Sequence, residues 1–249
     1  MTRGGYDYRT SNSVYGQSIT DVAELAARIH SPDLLERKGQ VVYTDDFYDL
    51  DGGWYKRVVM TNTIDFYSYP AYHSCVSVGV KINNYTADDD YLYKSFPLID
   101  PNKLGIELMF YHVWAGASKY VTPEIKLLKI KDGYSHLFVL KIDAATRTLV
   151  VRGSPAGGAG WTTISSELWA THDNAYGQNW HYFKLVIDYN NDHYDHVIVD
   201  NLYINCKTTW PVYTAVYASD QNVLYLGGYE AVDKGELYFT NLVMTINEP

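Results

Sequence analysis

Residues 180–203 read WHYFKLVIDYNNDHYDHVIVDNLY, and the reading of this stretch decides the fold. Phe183, Leu185 and Ile187 fall on one side of an extended chain, and Tyr182, Lys184 and Val186 on the other. That period of two is a strand signature. A second apolar run, HVIVDNLYI, spans 196–204. Between the runs lies a segment crowded with oxygen and imidazole groups. Asp188, Asn190 and Asp192 match the first three ligand positions of a calcium loop. The sixth position should be Gly and is His193; the twelfth should be Glu and is Val199. The helices that flank such a loop are missing too. Asn190, Asn191 and Asp192 instead suit the bend of a hairpin, because Asn and Asp tolerate left-handed backbone and bond their own main chain. The expectation is a β-hairpin holding no metal, with a partial calcium site from Asp188 and Asp192 as the alternative.

Working outward, further strand-like runs fall at 40–47, 54–60, 74–82, 104–114, 125–130, 135–142, 148–151, 222–227 and 236–246. Asp132 and Gly133 sit between two of them as a hairpin turn. Leu137, Val139 and Lys141 alternate with Phe138, Leu140 and Ile142. One helix is expected: Val22, Leu25 and Ile29 lie at helical spacing after a capping-like Ser18–Asp21 pattern, and Pro32 follows. Residues 1–17 are polar and rich in Gly, Ser and Tyr. The organisation predicted is an N-terminal arm with a short amphipathic helix over 1–38, then one sandwich domain over 39–249. The fold class predicted is all-β, a two-sheet antiparallel jelly roll.

A resemblance supports that class. The W-H-Y-F-K-L-V-I-D strand at 180–188, with its turn and following strand, resembles the late hairpin of concanavalin A-like, laminin-G-like jelly rolls. The D-D-F at 45–47 followed by Gly53 and Trp54 is similar to their opening, and LYFTNLVMT at 237–245 is similar to their closing strand. The resemblance covers about residues 40–249. It implies a closing strand lying beside the first one.

Composition narrows the function classes. The chain has 249 residues and a formal net charge of −9, with no basic stripe, so nucleic acid is an unsuitable partner. No apolar run approaches membrane-spanning length, and no membrane partner is expected. The first residues lack an apolar leader, so synthesis in the cytoplasm without a signal peptide is expected. Cys75 and Cys206 read as buried free thiols.

Some concanavalin A-like folds are glycanases with E-x-D-x-x-E on one strand face, where acid and nucleophile share a cleft. Glu107 and the acidic run Asp88, Asp89 and Asp90 do not match it. There is no G-x-S-x-G elbow, and the Gly-rich stretch at 152–161 fits no phosphate-binding pattern. The expectation is a protein that is not an enzyme and needs no cofactor.

Aromatics are abundant, with 25 Tyr and 6 Trp. Trp161, Trp169, Tyr176 and Trp210, together with Tyr91 and Tyr93, lie in or beside expected loops. Trp161, Trp169, Tyr176 and Trp210 are candidates for stacking on sugar rings. Tyr6, Tyr8, Tyr15, Val22, Leu25 and Ile29 are candidates for gripping a protein partner. The layout, an arm ahead of a sandwich, resembles phage virion surface and decoration proteins. That implies protein partners in an assembled shell, copies of this chain among them, and a place on the virion surface. The alternative is a carbohydrate-binding module or lectin with a glycan partner.

Overall fold

The computed structural model describes residues 39–45, 47, 53–58, 63–69, 77–84, 90–96, 101–113, 121–131, 134–143, 148–153, 160–166, 181–200, 202–206, 213–215, 222–230 and 235–248. The expected arm and helix, and with them Tyr6, Tyr8, Tyr15, Val22, Leu25 and Ile29, lie outside the described residues. So do Cys75, Trp169, Tyr176 and Trp210. No helix among the described residues is long and apolar enough to cross a membrane.

The described residues form strands β1 (Gln40–Asp45), β2 (Tyr55–Arg57), β3 (Thr63–Tyr69), β4 (Ser77–Asn84), β5 (Asp90–Phe96), β6 (Lys103–Val113), β7 (Val121–Lys131) and β8 (Tyr134–Asp143). They continue with β9 (Thr148–Arg152), β10 (Trp161–Ser165), β11 (His181–Asp188), β12 (His193–Val199), β13 (Leu202–Asn205), β14 (Tyr213–Ala215), β15 (Asn222–Glu230) and β16 (Gly235–Ile246). They make two eight-stranded antiparallel sheets. The first runs β13-β12-β11-β6-β16-β4-β3, with β1 also on β16; the second runs β10-β9-β8-β7-β15-β5-β2, with β14 also on β8. This is the two-sheet jelly-roll sandwich expected from the sequence. The first and last strands pair, from Gln40 opposite Ile246 to Asp45 opposite Leu242.

The alternation read in the sequence sets the core. Phe183, Leu185 and Ile187 face inward from the first sheet, and Phe138, Leu140 and Ile142 from the second. Lys131 pairs with Tyr134 at the end of the β7–β8 ladder, while Asp132 and Gly133 lie outside the described residues. The run expected at 196–204 is corrected: it is two strands. Asp200, at φ 52°, turns the chain between β12 and β13. Its carboxylate accepts from the Tyr182 amide at 2.9 Å and meets His181 Nδ1 at 2.8 Å. Hydrogen bonding by Asp to nearby backbone is what permits this left-handed break in an apolar run.

Asp45 explains the D-D-F…G-W opening. Its carboxylate accepts from the Phe47 amide at 2.7 Å, the Trp54 indole at 2.7 Å and the Tyr43 hydroxyl. Phe47 and Trp54 then pack with ring centroids 5.4 Å apart. One buried-side carboxylate thus holds two aromatic anchors where β1 leaves its sheet.

The sheets are also tied through Tyr194 of β12, which is fully buried. β14 and β9 share one edge of β8, the first pairing at 135–137 and the second from Leu140 onward. In the gap, the Tyr194 hydroxyl accepts from the Val139 amide at 2.9 Å and can donate to the carbonyls of Val139 and Arg152, each at 3.0 Å. Burial pushes this phenol's pKa well up, so it stays protonated. Tyr194→Phe is expected to lower stability by roughly 1–2 kcal/mol, since it strands buried backbone groups without leaving much of a cavity. Urea unfolding would measure this, and an unchanged midpoint would show that those groups find other partners.

Candidate functional site

The 188–193 turn is structural in its geometry. Asp188 accepts from the Asn191 amide and side chain, both at 3.0 Å. Burial would raise the Asp188 carboxyl, but these bonds, with Lys103 and His193 nearby, outweigh it and hold the pKa below the ordinary value. Asp192 sits at φ 56° and faces the ammonium of Lys129, which comes from the opposite sheet. Lys129 is fully buried, donates to the Tyr189 carbonyl and lies 3.9 Å from the Tyr189 ring centre. The two carboxylates considered for calcium therefore serve different partners. Among the described residues no group of three His, Cys, Asp or Glu side chains is placed to hold a metal.

The outer face of the first sheet is not a solvated surface at its centre. Lys184 is fully buried, 3.3 Å from Glu107 and 3.1 Å from Glu248. Thr245 donates to the other oxygen of Glu248. Glu107, examined as a catalytic acid, is thus part of a buried ion cluster. Beside it, the His196 ring bonds Asp195 at 2.7 Å and stacks on Tyr203 with centroids 5.0 Å apart. Burial lowers the His196 pKa, against the opposing pull of Asp195. A His whose folded pKa lies below the unfolded value is stabilising while neutral. Its contribution is full above pH 6.5 and drains as pH falls from there through the folded pKa. His196→Gln should therefore flatten the pH dependence of stability below pH 6.5, and an unchanged profile in titrated thermal melts would refute it. Cys206 is a buried free thiol, as expected, with burial pushing its pKa up to about 12.

The outer face of the second sheet is open at its edges, where Tyr55, Arg57 and Trp161 are exposed, whereas Tyr91, Glu124 and Val150 on the same face are buried. Register aligns Tyr55 with Tyr93, Tyr93 with Tyr225 and Tyr225 with Lys126. The intervening Leu92, Leu224, Leu226 and Leu127 are core residues, so these rings stand on the outside. Tyr55 stacks on Tyr93 at 5.5 Å and Tyr93 on Tyr225 at 5.7 Å, with planes within 30° of parallel. Tyr91 meets Tyr225 edge-on at 5.9 Å and donates to Glu124 at 2.9 Å. Lys126 covers the Tyr91 ring at 4.0 Å and pairs with Glu124 at 3.1 Å. Tyr55 is 60% exposed and ends the ladder, because no described strand lies beyond β2. At the far edge Trp161 is 47% exposed, opposite Arg152 on β9, with Lys141 5.2 Å from its ring centre.

Trp161 opens β10, beside the connection from β9, and Tyr91 and Tyr93 lie on β5, Tyr91 one residue from its start. Of the four sugar-stacking candidates, Trp161 is the one the structure describes. Tyr55 and Tyr225 were missed. The signal was present in Y-L-Y at 91–93 and L-Y-L at 224–226, where tyrosines alternate with core leucines. The Gly-rich stretch is the connection between β9 and β10, closed at its neck by the Gly153 amide bonding the Gly160 carbonyl at 2.8 Å.

No protein-family model matches the sequence, and no curated protein matches it. Solved structures do. A carbohydrate esterase from the Shiga toxin-encoding bacteriophage phi24B aligns at TM-score 0.50 and 15% identity, over 79% of this chain and 91% of that one. The CBM2 module of the evolved Dit of Lactobacillus casei BL23 phage J-1 aligns at TM-score 0.45 and 10% identity, over 85% and 97%. The lectin UEA-II, complexed with galactose, aligns at 0.49 and 8% identity, over 83% and 98%. At such identities the likeness concerns fold. It corrects one expectation, that the protein is not an enzyme. A protein described as a carbohydrate esterase shares the fold, and a missing glycanase motif excludes one mechanism rather than all chemistry.

Proposed function

We propose that this chain is a glycan-recognition jelly roll of a phage-type particle, binding carbohydrate on the outer face of its second sheet. The observation that carries the reading is the tyrosine ladder ending in Tyr55. A tyrosine at an open sheet edge offers a ring face to the axial C–H face of a pyranose, while the phenol edges of Tyr93 and Tyr225 add hydrogen-bonding groups beside it. Rings held by cross-strand stacking need little further ordering on binding. Placement on a particle rests on the layout, an arm over 1–38, polar and Tyr-rich over 1–17 and then amphipathic, ahead of the sandwich. That segment is the expected anchor to shell partners, through Tyr6, Tyr8, Tyr15, Val22, Leu25 and Ile29.

Affinity electrophoresis in gels cast with bacterial and plant polysaccharides tests the glycan reading. At least one polysaccharide is expected to retard the protein, and Tyr55→Ala with Tyr93→Ala should weaken retardation tenfold or more, about 1.4 kcal/mol. Retardation unchanged in the double variant would sink the site assignment. Deleting residues 1–38 should leave a folded domain that still binds glycan but no longer joins its neighbours; if assembly survives, the contacts lie on the sandwich.

A further inference from the structure

We propose that the polysaccharide bound at this face is acidic, with carboxylates on its sugars; this rests on the glycan reading above. The two rows of outward positions that carry the rings also carry charge. One row holds Tyr55, Tyr93, Tyr225 and Lys126; the next holds Arg57, Tyr91, Gly227, Glu124, Lys141 and Val150. Arg152 lies opposite Trp161. These positions contain four cations, Arg57, Lys126, Lys141 and Arg152, against one carboxylate, Glu124. Glu124 is itself buried and shared between Lys126 and Tyr91. The whole chain carries −9, so the charge at these positions is opposite in sign to that of the chain. A polyanion is repelled by such a protein in general, and its attraction must be local to the cationic face.

Geometry at the β2 edge suits a carboxylate. Arg57 is exposed and lies two residues along β2 from Tyr55, on the same face, about 7 Å away. A uronate ring stacked on Tyr55 holds an equatorial carboxylate close to its own ring plane, and one rotation of the ring over Tyr55 turns it towards Arg57. A planar guanidinium fork matches a planar carboxylate through two parallel N–H···O bonds.

The test compares uronate polysaccharides with their carboxyl-reduced forms, which keep the backbone and lose the charge, alongside sulfated neutral glucans. Affinity electrophoresis and calorimetry at 50 and 500 mM NaCl provide the readouts. The expected result is at least one uronate polymer bound tenfold or more tighter than its reduced form at low salt, with the gap narrowing at high salt. Arg57→Gln should cost threefold to tenfold on the acidic form and little on the reduced form, while Tyr55→Ala weakens both. Equal binding of both forms, tighter binding of sulfated glucans, or indifference to Arg57→Gln overturns the acidic assignment and leaves the glycan reading standing. Binding of no polysaccharide in any form overturns both.

Discussion

Replacing Lys184 by methionine is expected to cost about 3–5 kcal/mol of folding stability, a large share of what a domain of this kind possesses. The side chain stands at the middle of β11, pairs in register with Glu107 on β6 and is fully buried. Its ammonium lies between two carboxylates, 3.3 Å from Glu107 and 3.1 Å from Glu248, each about 1% exposed at the side chain. Methionine fills nearly the same volume, so packing survives while two buried carboxylates lose their cation. Guanidinium unfolding would show the midpoint fall with an unchanged slope. Changing Glu107 and Glu248 to leucine in the methionine background should recover much of the loss, because an apolar cluster needs no counter-charge. A loss under 1 kcal/mol from the single change would mean that the carboxylates reach water.

The second large effect is expected from Gly105→Ala. Gly105 lies opposite Thr245 of β16 and Val186 of β11. A Cβ there would fall 2.7 Å from the Glu248 carboxylate and closer still to the Thr245 hydroxyl. Gly39 is similarly tight, with its Cβ position 2.8 Å from the same oxygen. Glu248 therefore folds back over two glycines to reach Lys184, and the chain's last described turn lies down on the sheet. Overpacking costs about 1–3 kcal/mol, and separating Glu248 from Lys184 adds to it. The two effects can be parted by a double-mutant cycle: in a Glu248→Ala background, Gly105→Ala should cost markedly less. Additive losses would mean that Glu248 does not occupy the space above Gly105.

How much of this was legible depended on the range of the cause. The hairpin at 181–199 was legible because alternation, a turn rich in Asn and Asp, and the lack of a calcium pattern are all local. Asp200 was not, because it looks like one polar residue inside an apolar run, and its break needs His181 and Tyr182 on the neighbouring strand. Trp161 is legible by residue type and by its place beside the Gly-rich stretch, but its strand is not. Its strand β10 exists because the chain returns to β9 across the Gly153–Gly160 neck. The tyrosine ladder went unread because its members come from β2, β5 and β15, more than 160 residues apart at the extremes.

The sequence by itself determined the sandwich: period-two runs, turn residues between them and the opening and closing motifs each act within a few residues. It also determined which face of each core strand is apolar, since alternation leaves no other choice. Only the tertiary structure decided where charge is buried and where aromatics are displayed. Lys184 and Glu107 are charged letters on outward positions, Lys129 is one on the core face of β7 near its end, and nothing local shows that all three are buried. Burial came from strands and chain ends that pack over them. Tyr55, Tyr93 and Tyr225 became one surface only when strand order and register set them side by side, because a sheet face is assembled from non-consecutive strands, about 4.8 Å apart, whose order no local pattern encodes.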